Sequence, residues 1–538
     1  MSTLDVAATG AAAEAIAAQV PTLVAEQVAS RLFAQDHTLW GEAAEAEAGK
    51  RLSWTGLPRS SRPLIGEIAA LRDELAAVGF DRVVLCGMGG SSLAPEVICA
   101  TAGVPLVVLD SSDPDVVRAA LTDLQRTIVV VSSKSGSTVE TDSQRRAFEQ
   151  AFRDAGIDPT TRMVVVTDPG SPLEQTSRSA GFRVVAAHPD VGGRYSALTA
   201  FGLVPSGLAG ADLEALLDDA EAVADLLGAD DEANPALRLA AAMAGTTPLR
   251  DKLVLVDAGT ENVGFGAWAE QLIAESTGKE GTGILPVVAI GDAPAHTYDD
   301  ATVVHLVATD DDGEAPTGAS AVVVAGPLGA QIMLWEAATA VAGRLLRINP
   351  FDQPDVESAK SAARELMDSG IDDGDAPAFT DGPVQVRALG GDWLGDATSV
   401  DAAVAALLSQ LDGEHGYTAV MAYLDREADA DFEHVARELF DRTGRPATFG
   451  WGPRFLHSTG QYHKGGPGTG VYVQITAAPH EDLAVPGRDF TFGQFIAAQA
   501  GGDAAVLADH DRPVLRLHLT QHDAGLAAVR AALAGGDQ

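Results

Sequence analysis

The feature that most constrains the fold is a repeated alternation of short apolar runs and helix-forming segments, which begins at Asp81. The runs RVVLC, LVVLD, TIVVVSS and MVVVTD each lead into a turn, and three of the turns are followed by an evident helical segment. Apolar strands that alternate with helices predict a mainly parallel sheet covered on both faces. The pattern recurs between residues 252 and 326, where LVLVDA, VVAIGD, TVVHLVA and SAVVVAG are candidate strands. The chain is therefore predicted to be an α/β protein with two αβα units in tandem.

The length of 538 residues exceeds what one hydrophobic core supports, and shifts in composition divide the chain. Residues 1–75 are alanine-rich and are predicted to be helical. Residues 76–228 and 229–383 hold the two αβα units, and an acidic linker rich in Gly and Pro is expected at residues 370–383. Residues 384–538, with the predicted helix DAAVAALLSQL and the predicted strand GVYVQIT, are expected to form a smaller α/β region.

The charge of the chain limits its partners. Its 76 acidic and 36 basic residues give a formal net charge of −40, which argues against nucleic acid as a partner. An anionic ligand would need a locally built site of backbone N–H groups, hydroxyls and a few basic side chains. With two cysteines, no signal-like start and no apolar run of membrane-spanning length, the sequence predicts a soluble cytoplasmic protein without membrane association.

Two polar turns follow predicted strands directly and suggest an anion site. The first contains Gly89, Gly90 and Ser91, where glycine would let the backbone approach a ligand. The second is a dense cluster of hydroxyls with one lysine, a combination suited to a phosphate. Its candidate ligands are Ser133, Lys134, Ser135, Ser137 and Thr138. The alternatives are a tight strand–helix turn for the first and a capped helix start for the second.

Two further stretches hold candidate catalytic side chains. Arg194 follows two glycines and could present its planar fork of donors to an anion, although a surface salt bridge is the commoner fate of an arginine. Gln271 and Glu275 are four residues apart and would share one face of a helix that ends near Gly278. Glu275 could carry a proton between neighbouring carbons, and the alternative is an exposed helical glutamate.

These stretches resemble one known family. GMGGSSLAP and SSKSGSTVET are similar to the paired loops of sugar isomerase domains, and GGRYSALTAFG resembles the GGR-S motif of the glucose-6-phosphate isomerase family. QLIAESTGKEG resembles that family's Q-x-x-x-E-S-x-G-K motif, and INPFDQ with PDVESAK resembles its INxFDQxGVExGK signature. Pro354 and Asp355 replace the usual Trp and Gly of that signature. The resemblance is strong over residues 80–365.

The resemblance implies a reaction and a role for each matched residue. Glu275 would be the base of an aldose–ketose isomerisation of glucose 6-phosphate and fructose 6-phosphate, and Arg194 would stabilise the enediolate. Gln271 and Gln353 would orient sugar hydroxyls, and Lys360 would assist ring opening. The phosphate would be held by Ser91, Ser133, Ser135, Ser137 and Thr138. The resemblance implies a small-molecule sugar phosphate as ligand, no cofactor, no metal, and a homodimer.

The ring-opening histidine departs from the family pattern. The family carries it in an HQGT-like stretch before the INxFDQ motif, where this chain has none. The later stretch HSTGQYHKGGP resembles the missing segment, in an order similar to that of the isomerase half of transaldolase–glucose-6-phosphate isomerase fusions. This similarity assigns ring opening to His463, with His457 as the substitute. The alternatives are surface histidines or metal ligands.

Two other functions stay open at the level of the sequence. A broader isomerase would also act on mannose 6-phosphate, since small changes in site shape could widen specificity. A sugar-phosphate sensor would bind without turnover, which the joint presence of Glu275, Arg194 and Lys360 disfavours.

Overall fold

A computed structural model describes residues 4–77, 79–290, 298–308, 318–354 and 376–535, which form three β-sheets packed against helices. The strands are β1 (Asp5–Gly10), β2 (Arg82–Cys86), β3 (Val107–Leu109), β4 (Thr127–Ser132), β5 (Met163–Thr167), β6 (Arg183–Ala186), β7 (Lys252–Asp257), β8 (Leu285–Val288), β9 (Ala301–Val307), β10 (Ser320–Ala325), β11 (Phe379–Asp381), β12 (Val384–Leu389), β13 (Tyr417–Tyr423), β14 (Ala447–Trp451), β15 (Gly470–Ala477) and β16 (Val514–Leu519).

The described α-helices are α1 (Ala11–Ala25), α2 (Val28–Phe33), α3 (Glu42–Ala48), α4 (Leu57–Ser60), α5 (Arg62–Ala77), α6 (Leu93–Thr101), α7 (Pro114–Ala120), α8 (Val139–Asp154), α9 (Pro172–Ser179), α10 (Ala200–Ala209), α11 (Leu213–Leu227), α12 (Pro235–Ala244), α13 (Phe265–Thr277), α14 (Leu328–Leu346), α15 (Val400–Leu408), α16 (Val435–Thr443), α17 (Gly460–Gly465), α18 (Phe492–Asp509) and α19 (His522–Ala534). Among the residues described, no helix combines the length and the apolar character needed to cross a membrane.

The first sheet has the order β3-β2-β4-β5-β6, and all its strands are parallel. All six residues of β4 are buried, because successive side chains alternate between two hydrophobic clusters on opposite faces. β2 and β4 are neighbours, so the two polar turns that follow them lie at the same edge of the sheet. This edge, at the carboxyl ends of parallel strands, is where open α/β sheets bind ligands.

The second sheet has the order β1-β10-β9-β7-β8 and is parallel except for β1. The prediction that residues 1–75 are helical is therefore wrong for Asp5–Gly10, which pair antiparallel with β10. Pairing with the sheet edge overrides the helical preference of this alanine-containing segment. Gly10 ends the strand with a φ of 61°, and a Cβ there would lie 2.2 Å from the Ala319 carbonyl oxygen.

Helix α14 is the centre of the second unit. It is apolar on almost every side and is buried without interruption from Leu328 to Gly343. It packs against α11, α12 and α13. The helix that carries Gln271 and Glu275 therefore rests on a rigid support.

The third sheet has the order β11-β12-β16-β15-β13-β14, with parallel pairing from β16 to β14. The predicted helix and strand of the C-terminal region are confirmed as α15 and β15. The predicted linker is wrong at Phe379–Asp381, which form the edge strand β11, whereas residues 370–375 lie outside the described part of the chain.

The third unit is packed onto the second through a shared hydrophobic cluster. Val254 and Leu285 of the second sheet meet Tyr417 and Tyr462 of the C-terminal region in this cluster. The mixed α/β class with mainly parallel sheets is confirmed, and the shared core brings C-terminal segments towards the end of α13.

Candidate active site

Helix α13 presents the predicted base at its carboxyl end. Glu275 is buried, and its Oε2 accepts a hydrogen bond of 3.1 Å from Nε2 of Gln271, one turn earlier. Gly278 follows the helix where Tyr462 leaves no room for a side chain, since a Cβ would lie 2.4 Å from the Tyr462 Cα. The carboxylate is therefore held in a site from which bulk water is largely excluded.

Arg194 lies directly beside this carboxylate. Its Nη1 is 3.3 Å from Oε1 of Glu275, and its Nε donates to Oγ of Ser276 at 2.8 Å. Nη1 also donates to Oε1 of Gln353 at 2.9 Å. Nη2 donates to the carbonyls of Pro350 and Asp352. The guanidinium is thus fixed as a positive charge next to Glu275, and Gln353 of the INPFDQ segment is brought to the same place.

The turn at Gly89–Gly90 contacts the turn at Gly193. A Cβ on Gly90 would lie 1.9 Å from the Gly193 carbonyl oxygen, and a Cβ on Gly89, whose φ is 59°, would lie 2.7 Å from Nε2 of Gln271. The sequence predicted that these glycines make room for a ligand. In the structure they make room for the Arg194 turn and for Gln271, and so place the half-buried Ser91 at the edge of the site.

The hydroxyl cluster opens to solvent before α8. Ser135 and Ser137 are exposed, with their Oγ atoms 2.7 Å apart, and Ser133 Oγ accepts from the backbone N–H of Gly136 at 3.1 Å. Thr138 precedes the helix without capping it through its side chain. Solvent-exposed hydroxyls at a helix amino terminus are suited to an anion.

The ammonium group of Lys134 contacts other parts of the protein. Its Nζ is 2.8 Å from Oδ2 of Asp168 and donates to the carbonyls of Pro189 and Val191. The lysine expected to bind phosphate therefore fastens the loop to the neighbouring strand end, because its donors are used within the protein.

His457 reaches the site from the C-terminal region. It ends a 3-10 turn at Arg454–His457, and its carbonyl accepts from Nε2 of Gln271 at 2.8 Å. Its own Nε2 is 3.1 Å from Oε1 of Glu140, in the first turn of α8. Arg454 fixes the turn to the first unit through ion pairs with Glu96 and with Asp110. A line of hydrogen bonds therefore joins the helix of the hydroxyl cluster, His457, Gln271 and Glu275.

His463, the residue predicted to open the sugar ring, is enclosed between tyrosine side chains. Its ring stacks on Tyr417, with Nδ1 3.0 Å from the Tyr417 hydroxyl, and Tyr472 donates to its carbonyl. Only 2% of His463 is exposed, and burial, with Lys464 and Arg512 nearby, lowers its pKa to about 3. A neutral, enclosed imidazole is poorly suited to exchange protons with a ligand near neutral pH.

Lys279 is a site residue that the sequence left without a role. Its Nζ donates to the carbonyls of Asn349 and Asp352 and to Oδ1 of Asp352, so it holds the segment that carries Gln353. Burial and the nearby Arg194 lower its pKa to about 8, against the opposing effect of Asp352. The motif match E-S-x-G-K could have indicated Lys279.

Lys360, predicted to assist ring opening, lies outside the described residues.

The chain has sequence relatives among known proteins. No protein-family model matches the chain. The chain is 30% identical over 351 residues to a probable glucose-6-phosphate isomerase of Haloarcula marismortui, covering 55% of this chain and 80% of that protein. It is 32% identical over 349 residues to a probable glucose-6-phosphate isomerase of Natronomonas pharaonis, covering 55% and 81%.

A solved structure agrees with the fold. The crystal structure of a hypothetical protein from Thermus thermophilus superposes with a TM-score of 0.56 at 27% identity, covering 68% of this chain and all of that one. With sequence relatives matched over four fifths of their length, the chain belongs to the glucose-6-phosphate isomerase family.

Proposed function

We propose that this chain interconverts glucose 6-phosphate and fructose 6-phosphate by opening the sugar ring and moving a proton between C2 and C1. The observation that carries the proposal is the buried Glu275 carboxylate, held by Gln271 and faced by the Arg194 guanidinium at 3.3 Å. The Haloarcula and Natronomonas relatives, by name, are probable enzymes of the same activity.

The phosphate would bind at the hydroxyl cluster and the amino terminus of α8. The exposed hydroxyls of Ser135 and Ser137, with Ser133, Thr138 and the first backbone N–H groups of the helix, offer donors to a dianion. Ser91 and the Gly89–Gly90 backbone would complete this side. A built site of this kind is needed in a chain of net charge −40.

His457, and not His463, would act as the acid/base group that opens the sugar ring. Because the Glu140 carboxylate only accepts hydrogen bonds, the proton of the neutral imidazole lies on Nε2, which leaves Nδ1 to exchange a proton with the sugar. The side chain of His457 is 12% exposed, which gives it access to a ligand that His463 lacks. Lys360 remains the proposed helper in this step, on the strength of the family motif.

Proton transfer would then fall to Glu275. The carboxylate takes the proton from C2 of the open-chain aldose, the C2–H electron pair forms the C1–C2 double bond, and the carbonyl π pair becomes the negative charge on O1. In the resulting cis-enediolate the proton of the C2 hydroxyl passes to O1, O2 re-forms a carbonyl with C2, and the C1–C2 π pair takes the proton that Glu275 returns to C1. Arg194 would stabilise the negative charge that develops on the oxygens, a contribution that is often large in a site with little water. Gln271 and Gln353 would orient the sugar hydroxyls.

An assay with fructose 6-phosphate, coupled to oxidation of glucose 6-phosphate, tests the proposal. We expect turnover without an added cofactor or metal. Formation of mannose 6-phosphate in the same reaction would establish the broader isomerase. If fructose 6-phosphate binds but neither glucose 6-phosphate nor mannose 6-phosphate forms, the chain is a sugar-phosphate sensor and the proposal is rejected.

We also propose that the protein is cytoplasmic and forms a homodimer. Cys86 and Cys99 are both buried and unpaired, as is usual for thiols in a reducing compartment. The homodimer is carried over from the family resemblance, and light scattering of the purified chain would test it.

A further inference from the structure

We propose that Gln499, on helix α18 of the C-terminal region, is a positioning residue that holds the Glu140–His457 pair in its working geometry. This inference rests on the proposed function, in which His457 opens the sugar ring. Gln499 belongs to none of the motifs that carry the family resemblance, and it lies 359 residues from Glu140 in the chain.

The geometry shows two donors that meet at one oxygen. Nε2 of Gln499 donates to Oε1 of Glu140 at 2.8 Å, and the same Oε1 is 3.1 Å from Nε2 of His457. Gln499 is 4% exposed. The opposite orientation of its amide would place a carbonyl oxygen against the carboxylate, so the N–H group must face Glu140. Two donors on one oxygen stabilise the charged carboxylate and restrict its rotation.

The Oε1 atom of Gln499 indicates that fold stability alone does not explain the presence of a glutamine at this position. Oε1 of Gln499 is buried and has no hydrogen-bond partner among the described residues. A buried acceptor without a partner is unfavourable, and an apolar side chain of similar size would avoid it. The contact with Glu140 is therefore what the glutamine supplies.

The consequence for His457 follows from its single carboxylate contact. Glu140 determines which imidazole nitrogen carries the proton and how the ring is turned. Without the Gln499 N–H group, Oε1 of Glu140 loses one of its two donors, and the charge of the carboxylate is less well compensated. His457 then loses the fixed tautomer and orientation that proton exchange with the sugar requires.

Gln499→Leu in the full chain tests the proposal, with ring opening measured separately from isomerisation. In a Glu275→Gln background, where proton transfer between carbons is blocked, exchange between the α and β anomers of glucose 6-phosphate reports ring opening alone and can be followed by magnetisation-transfer NMR. We expect Gln499→Leu to slow the protein-dependent exchange about tenfold or more, as befits the loss of one hydrogen bond to a charged group. The melting temperature should change little.

The matched control is Gln474→Leu. Gln474 is also a buried amide that holds α18, because its Nε2 donates to the Ala500 carbonyl at 2.9 Å, and its Oε1 accepts from Nε of Arg516 at 2.8 Å. Anomer exchange should stay close to that of the parent in this variant. An equal loss in both variants would mean that Gln499 only supports the helix, and unchanged exchange in Gln499→Leu would overturn the proposal.

Gln499→Glu provides a second readout that a merely structural role would not produce. A carboxylate at this position would repel Glu140 at neutral pH, whereas its protonated form could donate an O–H in place of the amide N–H. We expect isomerase activity relative to the unmodified protein to recover as the pH falls from 7.5 to 6. Among the described residues, His457 and the Lys464–Asp503 ion pair one turn along α18 are present in both proteins, so they cannot produce a difference between them.

The possible failures can be told apart. If the unmodified protein neither isomerises nor anomerises sugar phosphates, the proposed function falls and the role of Gln499 falls with it. If the unmodified protein is active and Gln499→Glu shows no relative recovery at low pH while Gln499→Leu is fully active, only the positioning role is rejected.

Discussion

At the scale of single residues, the chemistry is set by which polar groups are buried together. The resemblance to the family's motifs singled out Glu275, Arg194, Gln271 and Gln353, and the structure brings all four into contact. The choice between His457 and His463 could not be predicted. They lie six residues apart in one short segment, and the packing of a 3-10 turn and then α17 puts His457 against Gln271 and Glu140 and stacks His463 on Tyr417.

Glu275→Gln should abolish turnover while sugar-phosphate binding persists. The amide is nearly isosteric with the carboxylate but cannot accept the C2 proton, and loss of a general base typically lowers the rate about a hundred- to ten-thousand-fold. Steady-state rates, together with calorimetric titration of a non-reacting sugar-phosphate analogue, measure the two effects. A variant with near-normal kcat would mean that another group takes the proton.

His457→Ala and His463→Phe should have opposite effects. Loss of His457 removes the proposed ring-opening group and should lower kcat on ring-closed substrate about a hundredfold or more. Anomer exchange measured on this variant should fall in parallel. His463→Phe keeps an aromatic ring beside Tyr417 and Tyr472 and should retain most of the activity, at a stability cost of about 1–3 kcal/mol for the hydrogen bond lost by Tyr417. If His463→Phe is the inactive variant, the reassignment made from the structure is wrong.

At the scale of elements, the site follows from strand order. The turns after β2 and β4 lie at the same edge of the sheet because these parallel strands are neighbours, and local apolar patterns were enough to predict both strands. β1 and β6 were not predicted. Their apolar runs are short, and β1 becomes a strand only through pairing with β10, which is more than three hundred residues away in the chain.

Replacing Ser135, Ser137 and Thr138 together by alanine should mainly raise KM. The phosphate does not change during the reaction, so its contacts bind substrate and transition state about equally. A rise of about tenfold or more with nearly constant kcat is expected from initial-rate measurements.

The control for this triple variant removes three exposed hydroxyls elsewhere in the first unit, at Thr122, Thr176 and Ser179. These hydroxyls donate only to backbone carbonyls in the structure, so KM should not change. A KM that stays constant in both triple variants would mean that the substrate phosphate does not bind at the hydroxyl cluster.

At the scale of the whole molecule, the C-terminal region shares a core with the second unit and brings His457 against Gln271. His463 lies in the tyrosine cluster at this junction, where Tyr417 and Tyr462 meet Val254 and Leu285. The sequence predicted a third α/β region from local patterns. It could not predict how that region docks, because docking depends on contacts between side chains that are distant in the chain.

The junction should make the protein sensitive to acid. Since the pKa of His463 is lowered to about 3 in the fold and is about 6.5 in an unfolded chain, the unfolded state binds more protons between these values. The contribution of the neutral His463 to the free energy of unfolding is therefore fully present above pH 6.5. It is lost as the pH falls towards 3, by roughly 1 kcal/mol per pH unit.

Urea unfolding at pH 7 and pH 5.5 measures this acid sensitivity. His463→Phe should reduce the loss of stability between the two pH values, whereas replacement of the exposed His510 by Asn should leave it unchanged. If His463→Phe is as acid-sensitive as the parent, the buried imidazole is not the source of the effect.

The contact between Glu140 and His457 also has a meaning for biosynthesis. The two residues are separated by 317 positions, and Gln499 follows later still. A ribosome delivers the hydroxyl cluster first, then Glu275, and last the histidine and the glutamine that complete the site. The nascent chain thus acquires its proposed phosphate site and its base before it can open a sugar ring. Isomerase activity is therefore expected to mark chains whose synthesis and C-terminal docking are complete.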